Sequence, residues 1–84
     1  MTEFHPELTL EEGMSRSGMS WDRLWLRQVS VGGAIGDLEV EAYVLGLMKP
    51  TAFLHDLIAQ AINEHFIDGG GDHPVAYWSK TNAE

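Results

Sequence analysis

Three sets of side chains carry enough chemistry to be weighed first: Glu41, His65, and the pair Arg23 and Arg27. Glu41 lies in DLEVEAYVLGLM, residues 37–48, which wound as a helix is apolar on almost every side. A carboxylate placed there either pairs with a cation such as Arg23 or Arg27, or takes a proton-handling role. The plainer reading sets it at the rim of a small domain, in water. His65 falls within an apolar stripe, where an imidazole can sense pH or bind metal. The plainer reading is a half-buried ring bonded to a backbone carbonyl. His55 stands ten residues away and faces elsewhere, so the two do not make an HxxxH ligand pair. His5 and His73 lie in segments without helical pattern.

Arg23 and Arg27 are spaced i, i+4 and share one helix face. In an acidic chain they form a candidate docking strip for a carboxylate-rich partner. The alternatives are a solvated face, or internal bridges to Glu39 or Glu41. Nothing else gathers into a catalytic set. Cysteine is absent, and Ser15, Ser17, Ser20, Ser30 and Ser79 sit in no motif with a matched base. Gly69-Gly70-Gly71 follows a helix and lacks the Gly-Lys-Ser/Thr of a phosphate loop. GGAIGD at 32–37 does precede a helix, but Asp37 and Glu39 already supply negative charge there. No catalytic residue, cofactor or metal ligand is therefore assigned.

The elements that must position these residues are helical. Ser20 caps a helix over 21–31, Asp22 suits its positive end, and Gly32-Gly33 stops it. Trp21, Leu24, Trp25, Val29 and Val31 share its apolar face, with Arg23, Arg27 and Ser30 opposite. The second helix spans 37–48 and ends at Lys49-Pro50, because a residue before proline avoids helical backbone. One of its apolar edges is Leu38, Ala42 and Leu45, which the flanking helices are expected to cover. The other is Val40, Tyr43, Val44 and Leu47, which is expected to meet the tail or a partner. The third helix runs over 51–67 with a stripe of Leu54, Leu57, Ile58, Ala61 and Ile62; Asp56, Gln60 and Asn63 are expected to face away.

Outside the helices the pattern thins. Thr9-Leu10-Glu11-Glu12 has capping-box spacing and predicts one helical turn. The remainder of 1–19 reads as a flexible arm that is loose or lies on the core through Phe4, Leu8 and Leu10. Residues 69–84 read as a glycine-rich turn and a tail whose Val75, Tyr77 and Trp78 pack back.

Composition limits the class of function. With 84 residues and 44% hydrophobic content, the chain makes one small domain with a core. Its net charge of -8, with only five Lys and Arg, opposes binding to nucleic acid and to anionic membranes. No apolar run is long enough to span a bilayer, and MTEFHPELTLEE lacks the basic start and apolar core of a signal peptide. These features predict a cytoplasmic, all-α protein: a three-helix core over 20–68, an arm at 1–19 and a tail at 69–84. The expected role is a non-enzymatic protein–protein interaction module, a small bacterial-type regulator or adaptor whose partner is another protein or a second copy. A ligand- or metal-binding sensor using Glu41 and His65 is the alternative, followed by a helix-turn-helix-like transcription regulator.

Overall fold

The computed structural model describes residues 8–72 and 74–78; Phe4, His5, His73 and Ser79 lie outside them. The domain is all-α. Its helices are α1 (Leu10–Ser17), α2 (Trp21–Ser30), α3 (Asp37–Leu45) and α4 (Ala52–Asp68). Among the described residues there is no strand, only an isolated parallel bridge between Leu8 and Val75.

The helix starts follow the sequence signals. Thr9 and Glu12 form a reciprocal capping box, each side chain bonding the other's backbone N–H at 3.1 and 3.0 Å. Ser20 Oγ accepts from Arg23 N–H, so α2 begins where its cap predicts, and Thr51 Oγ1 accepts from Leu54 N–H, so α4 begins one residue after the expected start. The single turn expected after Thr9 extends to a full helix, α1, inside the segment read as a flexible arm. Tertiary burial of Leu10 and Met14 carries it that far. Gly13, within the segment read as a flexible arm, sits on the packed face of α1. A Cβ there would collide with Val75 Cγ2 and lie 3.3 Å from Ile62 Cγ2.

α4 is the central helix. Leu57, Ile58, Ala59, Ala61, Ile62 and Asn63 are all buried, and α1 and α2 pack along it. α3 packs on α1 and α2, although the helix expected over 51–67, joined to it only by Lys49-Pro50, was to be among its flanking partners. That arrangement reverses the expected orientation of α3. Val40 is 1% exposed and Val44 is likewise buried, whereas Leu38 is 77% exposed and Leu45 is also open to solvent. A helix that is apolar all round gives no periodicity to fix its rotation; the insertion of α1 decides it. α3 also stops at Leu45, short of the expected Met48, because Gly46 takes the left-handed conformation (φ 81°) that ends a helix. On α2 the buried line is Leu24 and Gln28, with Val29 exposed.

Two buried amide side chains attach the irregular segments to the helices. Asn63, expected to face away, is 1% exposed. Its Nδ2 donates to Val75 O at 3.0 Å and its Oδ1 accepts from Val75 N–H at 2.8 Å. Gln28 does the same to Ile35, with Nε2 donating to Ile35 O at 3.1 Å and Oε1 accepting from Ile35 N–H at 3.3 Å. Trp25 Nε1 adds a second donor to Ile35 O at 2.8 Å. A Cβ on Gly33 would strike the Gln28 carboxamide and come within 2.7 Å of Leu57 Cδ2, so only glycine lets the loop approach.

Replacing Asn63 with Leu keeps the volume and removes both bonds to Val75. The buried N–H and carbonyl of Val75 then go unpaired, and stability should fall by about 2–4 kcal/mol. Urea denaturation should show this as a lower midpoint at nearly constant slope.

Candidate functional site

A groove of about 710 Å3 lies among the described residues at the corner where α3 ends and α4 begins. Its first wall follows from the Gly46 turn. The amides of Leu47 and Met48 fold back to the Ala42 carbonyl at 2.9 and 3.2 Å, which turns both side chains outward. Leu47 is consequently 76% exposed, beside Met48, Lys49 and Pro50. Tyr43 and Val44 continue this wall down into the core.

The second wall is built from the two ends of the described chain. Leu8 N–H donates to Pro74 O at 2.9 Å and Ala76 N–H donates to Leu8 O at 3.0 Å, so Leu8 and Ala76 stand side by side. Trp78 closes that wall, its backbone N–H donating to Asp56 Oδ1. The same carboxylate oxygen lies 3.2 Å from His55 Nδ1, and the His55 ring meets Trp78 edge-on with centroids 5.8 Å apart. Asp56 thus holds both the tail and the imidazole. The lining is mainly apolar, with His55, Lys49, Thr9 and Glu11 as its polar members. That composition and size fall within the range of binding sites, about 300–1,000 Å3.

The residues singled out from sequence distribute unevenly. Tyr43, Val44 and Leu47 do line the groove, but Val44 is buried beneath it and only Leu47 stands freely exposed. Val40 belongs to the core and not to an outer surface. Glu41 is half-buried on α3 and pairs with neither arginine. Arg27 instead bridges to Asp68 on α4 at 2.9 Å, and Glu39 accepts the Gly36 N–H. His65 packs edge-on against Phe66, with centroids 5.4 Å apart, in a cleft shared with Arg23, Arg27 and Asp68 but not Glu41. Among the described residues no three His, Cys, Asp or Glu side chains gather in a metal-binding group. No helix of the described residues is long and apolar enough to cross a membrane.

His55, Asp56 and Trp78 were not singled out from sequence as site residues. Their connection runs between α4 and the tail, and the periodicity of a single helix carries no trace of it. Comparison of the chain with protein-family models, curated proteins and solved structures finds no match.

The two groove residues Val44 and Leu47 separate core from surface. Val44→Glu should bury an unpaired carboxylate and cost several kcal/mol, about enough to unfold a domain of this size. Leu47→Glu should leave stability within about 0.5 kcal/mol of the parent. Thermal melts followed by circular dichroism will distinguish them.

Proposed function

We propose that the chain is a non-enzymatic protein–protein interaction module that acts through the groove at the α3–α4 corner. It has the character of a small bacterial-type regulator or adaptor working in the cytoplasm. The observation that carries this reading is the exposure of Leu47, with Met48, on the lip of an apolar groove. Large apolar side chains so placed are characteristic of surfaces that another chain covers. Leu38 and Leu45 extend the apolar surface along α3. The absence of cysteine and of any paired nucleophile and base in the sequence supports a role in contact over one in chemistry.

A second copy of the chain is the simplest cover, because a two-fold axis lets each groove receive the lip of its partner. Sedimentation equilibrium at concentrations of about tens of micromolar, where modest dimers persist, should give the mass of two chains. Leu47→Glu should give the mass of one chain with helicity unchanged. A single-chain mass for the unaltered protein would rule out the homodimer.

A further inference from the structure

A second cleft, of about 480 Å3, lies between the start of α2 and the end of α4. It shares no lining residue with the groove. His65 in the cleft stands about 15 Å along α4 from His55 in the groove, given the rise of a helix. We propose that this cleft binds a single oxyanion group, a carboxylate or a phosphate monoester, and that this binding is independent of the groove.

The charge distribution is the first support. The chain has only five Lys and Arg and a net charge of -8, yet Arg23, Arg27 and His65 all line this one cleft. Asp68 offsets Arg27 through their 2.9 Å bridge, which leaves Arg23 as the lining arginine without an ion pair. The guanidinium of Arg23 has no hydrogen-bond or ion-pair partner among the described residues, and neither ring nitrogen of His65 makes a hydrogen bond. An arginine fork matches two oxygens of one planar or tetrahedral anion.

Helix ends supply the second support. Ser20 Oγ takes the Arg23 N–H at 3.1 Å, and the amides of Trp21 and Asp22 have no intrahelical acceptor. The positive end of α2 therefore opens beside the cleft through Met19 and Ser20. Asp22 supplies an acid on the same first turn, and neither it nor Trp21 is among the lining residues, so the contribution of this helix end comes through Met19 and Ser20. The opposing end of α4 is muted. Gly69 N–H bonds the carbonyls of His65 and Phe66, Gly70 N–H that of Ile67, and Gly71 N–H that of Phe66. The carbonyls of His65, Phe66 and Ile67 thus accept hydrogen bonds, which leaves the Asp68 carboxylate, bridged to Arg27, as the main negative charge on this side.

The long-range field sets the size of the ligand. An overall charge of -8 repels a polyanion, whose many charges lie outside the cleft. A single anionic group needs only the local potential, because charges beyond about 8–10 Å are screened at physiological salt.

The test is a 1H–15N titration of the full chain with inorganic phosphate and, separately, with acetate, each against sodium chloride at matched ionic strength. Saturable shifts should appear at the amides of Met19 and Ser20 and at the Arg23 side chain, all of which line the cleft. Tighter binding of phosphate would identify a phosphate monoester as the natural group; acetate binding as tight or tighter would identify a carboxylate. Arg23→Gln, at an exposed position, should keep the fold and weaken the response about tenfold. Arg16→Gln, which lines neither the cleft nor the groove, should leave it unchanged. Shifts that chloride reproduces, that rise linearly without saturation, or that survive in Arg23→Gln would overturn the proposal.

Discussion

The two irregular segments that enter the core of this domain hang on one type of contact: a buried carboxamide that takes both backbone groups of a single residue. Asn63 does this to Val75 and Gln28 does it to Ile35. Each acts as a one-residue substitute for a neighbouring β-strand, donating to a carbonyl and accepting from an N–H. Without it, an extended segment could not lie against a helix, whose own backbone groups are all engaged. Buried backbone polar groups must be paired, so these two amides license the tail and the α2–α3 loop to enter the core. Glycines complete the device. Gly13 gives Val75 room on α1, and Gly33 lets the loop close over Gln28.

The groove depends on the first of these clamps. Val75 is gripped by Asn63, and its neighbours Pro74 and Ala76 bond Leu8 on either side. Asp56 then fixes Trp78 about two turns of α4 before Asn63. The tail is therefore tied at successive points along α4, and its free edge becomes a wall. The opposite wall is shaped by a different constraint, the left-handed Gly46, which ends α3 early and swings Leu47 and Met48 into the open. Had α3 continued to Pro50, those side chains would have followed its helical face.

Local signals in the sequence were legible to the extent that they are local. Thr9, Ser20 and Thr51 mark three helix starts within a residue, and the stripe Leu57, Ile58, Ala61, Ile62 is the spine of the core. The orientation of α3 was not legible. With apolar residues on nearly all sides, Val40 and Leu38 are equivalent until α1 is known to lie beside the helix. Asn63 and Gln28 were hidden for a related reason. A polar amide on a helix reads as solvent-facing, and only its place within the apolar period hints otherwise: Gln28 one turn after Leu24, Asn63 adjoining Ala59 and Ile62. The groove draws on residues from both ends of the described chain, a union that no window of sequence contains. The Arg27–Asp68 bridge spans α2 and α4 in the same way.

The pairing of Leu8 with Val75 has a consequence for how the molecule assembles. It joins positions separated by nearly all of the described chain, so closing that loop carries the largest entropic cost of any contact here. The packing of α1 on α4 likewise joins distant parts of the chain, so the core and the docked ends share that cost. One groove wall exists only where the two ends are docked. An occupant of the groove therefore binds the closed chain in preference to the open one, and its binding stabilises that closure.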